Sequence, residues 1–125
     1  MDRDEIQEIA ERWVKCESEY EKVGEHSAGA YELDELIRNN PHKALKVILA
    51  VLSNTPRRPE SSIFQALAAG PLEVLLVYKG NEVINQVEHE ASQNADLRLL
   101  LGGVWQSTIK PEVWSSVLKL RSESW

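Results

Sequence analysis

The residues of this chain best suited to chemistry fall in two short corners, Gly70-Pro71-Leu72-Glu73 and Gly102-Gly103-Val104-Trp105-Gln106. Glu73 supplies a carboxylate that accepts hydrogen bonds. Trp105 supplies a large amphipathic ring with one N–H donor, and Gln106 an amide that both donates and accepts. Such a set recognises rather than breaks bonds, since tryptophan beside a hydrogen-bonding side chain is a common anchor at protein interfaces. Each corner also has a purely structural reading. At the first, glycine ends one helix and proline begins the next, with Glu73 in a first turn where negative charge favours the helix dipole. At the second, two glycines are free to take positive φ, Trp105 plugs the core and Gln106 satisfies backbone groups. The exposure of Trp105 separates the two readings.

Other candidates carry less. Arg57-Arg58, between Pro56 and Pro59, displays a basic pair suited to a carboxylate or phosphate, or else is a solvated loop. His26, His42 and His89 are scattered, and Glu88-His89-Glu90 lacks the second histidine four residues on that a helical zinc site requires, so no metal is expected. Cys16 shares a helical stripe with Trp13 and Tyr20, which fits a buried, inert thiol, and Glu17 is the one charge near the middle of that stripe. No nucleophile elbow, phosphate loop or dinucleotide fingerprint occurs. No catalytic residue and no cofactor is therefore assigned, and enzyme chemistry has no positive support.

The elements that would position these residues are helices. From Asp4 to Val23 apolar residues recur at spacings of three and four, and Asp2 with Glu5 resembles a capping box. Gly24 ends that helix, residues 25–29 read as a loop, and a short helix follows from about Ala30 to Arg38. Asn40-Pro41 looks like an N-cap and first helical residue, opening a helix through Leu52 that is apolar nearly all round and leaves Leu49 no wet side. Residues 54–59 form a loop. Ser61 or Ser62 opens a helix closed by Gly70, Pro71 starts another through Tyr78 closed by Gly80, and Asn81 caps a third through Ala91. Asn94 or Asp96 caps a short helix through Leu101, residues 104–109 make a turn or one loose helical turn, and Pro111 begins the last helix. About eight short helices and no strand are predicted, as stacked hairpins of the HEAT or armadillo kind or as a compact bundle.

Composition sets the class. One domain spanning residues 1–125 is expected, with 42% hydrophobic and 27% charged residues, too apolar for a disordered chain. Fourteen basic against twenty acidic residues give a formal charge of −6, which disfavours nucleic acid and anionic membrane as partners. The single cysteine fits a reducing compartment, and no uninterrupted apolar run approaches the roughly 20 residues that span a bilayer, so the cytoplasm is the expected location.

The segments Ala68-Ala69-Gly70-Pro71-Leu72-Glu73 and Leu101-Gly102-Gly103-Val104-Trp105-Gln106, with the closing Pro111-Glu112-Val113-Trp114, resemble a family of small, mostly bacterial domains of unknown function. The resemblance runs from about Tyr31 to Leu118, and the first helix is less typical. It implies an all-helical fold and brings no activity or catalytic residue.

Together these features point to a small cytoplasmic module that binds another protein, with the immunity or antitoxin partner of a toxin as one form of it, because an acidic surface suits a basic partner. The alternative is a small-ligand-binding protein or enzyme with a pocket around Glu73, Trp105 and Gln106. A third reading is an accessory domain that associates with itself through its tryptophans.

Overall fold

Asn40 opens the helix around which the others assemble: its side chain accepts the Lys43 N–H at 3.3 Å and Pro41 takes the first helical position, as the sequence predicts. The computed structural model describes residues 2–23, 28–55, 61–106, 108–121 and 125, with backbone alone at 2–3, 18–23 and 28–31. In these residues the helices are α1 (Asp2–Val23), α2 (Ala28–Asn39), α3 (Pro41–Ser53), α4 (Ser62–Leu67), α5 (Glu73–Gln93), α6 (Ala95–Leu101) and α7 (Pro111–Leu120), and there is no strand. The fold is all-α. Ser61 caps α4 by accepting the Phe64 N–H at 3.4 Å, and Asn94, rather than Asp96, caps α6 by accepting the N–H groups of Asp96 and Leu97 at 3.0 and 3.2 Å.

α3 touches α1, α2, α4, α5 and α6. In a solenoid each unit meets only its neighbours, so of the two predicted architectures this is the compact bundle around a central helix. One cluster of buried apolar side chains draws on every helix, including Trp13 of α1, Ile37 of α2, Leu45 and Ile48 of α3, Phe64 of α4, Val83 of α5, Leu100 of α6 and Val117 of α7. α3 nevertheless keeps a wet side. His42, Lys46 and Ser53 are exposed and Leu49 is half-buried, which corrects the full burial predicted for it, because no helix covers that flank.

The stretch from Ser62 to Gln93 departs most from the sequence prediction. Three short helices were expected; the first two join through a π turn into one helical run, and a kink at Lys79 divides that run from the helix that ends at Gln93. Pro71 lacks an N–H, and its ring would crowd the carbonyl of Leu67 in an α-helix; a π turn over Ala68–Leu72 widens the helix there and lets it continue. A second irregularity is a kink at Lys79, with φ −131° and ψ 19°. Gly80 stands directly after this kink, at the boundary the sequence predicts, and has a packing role besides. A Cβ there would lie 2.9 Å from both γ-carbons of Val113, so glycine at this point lets α7 pack directly on the α5 backbone. The merged run is long and apolar enough by composition to cross a membrane, and Leu67, Leu72, Leu75, Leu76, Val83 and Val87 of it are buried in the bundle.

On α1, Ile9, Ala10, Trp13 and Cys16 are buried and Glu17 is half-buried. Asp2 is the first helical residue, but its side chain lies outside the described residues, and Glu5 reaches Lys43 of α3 at 2.7 Å instead of the helix start. The hydrogen bond and charge of Lys43 hold the Glu5 carboxyl below its usual value. Arg12 forks onto both carboxylate oxygens of Glu32 on α2 at 2.9 Å each, and that hydrogen bond raises its guanidinium. These exposed pairs orient α1 and contribute little stability.

Candidate functional site

The two corners singled out in the sequence meet. One carboxylate oxygen of Glu73 accepts the backbone N–H of Trp105 at 3.2 Å, joining the start of α5 to the connection between α6 and α7. The expected role of Glu73 at a helix dipole is thereby corrected. Leu72 before it has helical φ/ψ of −66° and −45°, so the helix has no free N-terminus at Glu73, and its carboxylate serves Trp105 instead.

The connection that carries Trp105 is tied down along its length. α6 tightens as it ends: Gly102, Gly103 and Val104 donate to the carbonyls of Leu99, Leu100 and Leu101 at 3.0, 3.0 and 3.2 Å. Ile109 donates to the Gln106 carbonyl at 2.7 Å, and Pro111 then starts α7. Val104 and Ile109 are buried at 1% and 3% exposure, whereas Trp105 between them is 73% exposed. Trp105 is therefore not the core plug of the structural reading. Gln106 is exposed as well, and its amide bonds to none of the described residues, so it does not satisfy backbone groups there.

The plug at this corner is Trp125, which the sequence reading passed over. Its ring stacks on Phe64 with centroids 5.4 Å apart and planes tilted by 32°, and its indole N–H donates to the Leu99 carbonyl at 2.6 Å. Its backbone N–H donates to the Gly102 carbonyl at 3.0 Å. A Cβ on Gly103 would lie 2.3 Å from this ring. The glycine is thus required by close approach and not by the positive φ that was expected; Gly102 itself has φ −63° and ψ −19°. The available signal was a Gly-Gly pair near an unassigned tryptophan, and it does not say which ring fills the space.

Tyr78 is a second exposed aromatic that the sequence placed only at a helix end. At 72% exposure it borders a cleft of about 600 Å³ between α2 and α5, lined also by Asp34, Ile37, Arg38, Val74 and Lys79. A cleft of about 430 Å³ separates α1 from α3, lined by Gln7, Ala10, Val14 and Val51 among others. Glu73, Trp105 and Gln106 line neither. His42 meets the Gln86 amide, and among the described residues no three metal-ligating side chains gather. Arg57 and Arg58 lie outside the described residues. On α7, Arg121 stacks over Trp114 at 5.5 Å, leaving that ring half-buried.

What the arrangement offers chemically is a rigidly held backbone with a bare indole and a free amide, and no grouping of acid, base and nucleophile. No curated protein and no solved structure matches the chain. A family model does, over residues 17–125, a span that takes in the end of α1, all of α2 through α7, and Trp125 as well. The chain belongs to DUF6869, a family of unknown function.

Proposed function

We propose that this chain is a cytoplasmic protein-interaction module whose recognition edge is Trp105 with Gln106. The observation that carries this reading is the contrast within three residues: Val104 is buried, the Trp105 N–H is held by Glu73, and the Trp105 ring stands 73% exposed. An immobilised backbone presenting a large ring loses little entropy on binding, which is what makes tryptophan an effective anchor. The net charge of −6 favours a partner with a basic face, and a basic toxin neutralised by this chain as its immunity or antitoxin partner is one such pairing. Nucleic acid and anionic membrane are disfavoured on the same ground. The small-ligand alternative draws less support, because the clefts described above lie away from Glu73, Trp105 and Gln106.

The test compares the wild-type chain with Trp105→Ala and Gln106→Ala as immobilised baits in native lysate, with captured proteins identified by mass spectrometry. The reading requires a protein retained by the wild type and weakened by about tenfold or more in Trp105→Ala, as for an interface anchor. Melting temperatures should hardly change, since exposed side chains contribute little to packing. Equal capture by wild type and Trp105→Ala would remove the edge as the binding site.

A further inference from the structure

The corner that holds Trp125 has the character of a ligand site. It offers an aromatic wall, Phe64; a floor that tolerates no side chain, Gly103; and an acceptor in line with the indole N–H, the Leu99 carbonyl. The carbonyls of Leu99, in the last turn of α6, and of Gly102, just past it, each accept an N–H of Trp125, Leu99 in addition to the Gly102 N–H it already accepts. Trp125 is only half-buried, so the site is reached directly from solvent.

We propose that residues 99–103 with Phe64 form an indole-binding site, and that its occupation by Trp125 positions the Trp105 edge. The inference rests on the reading of Trp105 as a recognition residue. Two successive glycines have more backbone freedom than any other pair, and the three atoms nearest a Cβ at Gly103 all belong to the Trp125 ring. Trp105 lies two residues further on and is held by a single bond of 3.2 Å to a half-buried carboxylate. Such a bond registers the register of the chain but is too weak to impose it. With the ring in place, Gly103 is fixed from one side and the Trp105 N–H is aimed at Glu73. With the ring gone, the bonds of Gly102, Gly103 and Val104 to α6 still hold the start of the corner, and the Trp105 edge loses the contact that fixes its aim at Glu73. An apolar space lined by an aromatic ring and left by a truncated side chain binds a small molecule of matching shape. Free indole has the ring and the single donor that this site holds.

The test uses ¹⁵N NMR on the full chain and needs no partner. In Trp125→Ala the Trp105 amide should shift and lose about five- to tenfold of its protection from hydrogen exchange, the scale of one hydrogen bond. Millimolar indole should bind this variant, leave the wild type unaffected and return the Trp105 amide to its wild-type position. Trp125→Phe, which keeps one aromatic ring and loses the N–H donor and the second ring, should show a partial shift, and it serves as the measurement should the alanine variant unfold. A Trp105 amide unchanged in both variants overturns the proposal, as does indole that fails to bind or binds without restoring it. These outcomes are independent of capture by Trp105: a lost coupling here leaves the interaction reading standing, and a failed capture leaves the indole site standing.

Discussion

The Gly70-Pro71 and Gly102-Gly103 corners look equivalent as strings of helix breakers, yet the chain treats them in opposite ways. At the first, the backbone stays helical on both sides, with φ/ψ of −68° and −50° at Ala68 and −62° and −45° at Glu73, and a Cβ on Gly70 would meet nothing within 4 Å beyond its chain neighbours and its own helix backbone. At the second, α6 stops and a Cβ on Gly103 would be driven into Trp125. The difference lies in what flanks each corner. Leu67 and Ala68 before the first, and Leu72, Leu75 and Leu76 after it, are all buried if the helix runs straight on, so continuity buries more apolar surface than the bulge costs. After the second, Val113 has to return to Gly80 on α5, and only a reversal of the chain brings it there. Breakers mark where a helix is weak; the packing on either side decides whether it breaks.

The largest effect belongs to the side chain that serves both corners. Phe64 is fully buried in α4, one turn before the π segment, and lies against Trp125. Phe64→Ala should cost about 3–5 kcal/mol in denaturant unfolding, because the cavity opens under the continuous helix and under the indole at once. A loss below about 1 kcal/mol would mean that the two corners are not joined through the core.

Gly103→Ala comes next. Its Cβ meets ring carbons 2.3 Å away in a site closed by Phe64, so the indole must leave or the corner must move. Overpacking of this kind costs about 1–3 kcal/mol, readable in the same melts. A neutral result would show that Trp125 yields its place without penalty.

Much of the fold was legible because its signals are local. The 3.6-residue period, Asn40-Pro41, Ser61, Asn94 and Pro111 each act within one turn of helix, and every one of them marks a real helix start. What the sequence hid depends on distance. Pro71 reads as a boundary, and whether a proline is bypassed or obeyed is set by core contacts many residues away. The expected plug, Trp105, and the actual one, Trp125, are the same residue type near the same glycines, and no local rule ranks them. The pairing of Glu73 with the second corner follows from the sequence only as adjacency of two breaker motifs; the donor turned out to be the Trp105 backbone N–H, which carries no sequence signature.

Among the described residues that bond is the one polar link between the corners. Glu73→Ala should cost about 0.5–1.5 kcal/mol, the net worth of a single hydrogen bond, while Glu73→Gln retains an acceptor and should cost less. An equal loss in both would assign the effect to something other than the Trp105 N–H.

The smallest effect has the sharpest sign. If Gly70 terminated a helix in the left-handed conformation, as its neighbour Pro71 suggests from the sequence, alanine would be strained there and the protein would lose about 1 kcal/mol. In the helix the backbone is right-handed on both sides, the added methyl group would meet nothing within 4 Å beyond its chain neighbours and its own helix backbone, and the position is only half-buried. Alanine then removes unfolded-chain entropy and raises helix propensity, against the crowding of its Cβ by the Pro71 ring that follows, so Gly70→Ala should stabilise by at most about 0.5 kcal/mol, seen as a melting temperature raised by about 1–2 degrees. Measured beside Gly103→Ala, the same one-carbon change should move stability in opposite directions at two corners that look alike in sequence. A loss at Gly70 would restore the glycine as a helix stop and break the helical continuity through Pro71 on which the placement of Glu73 depends.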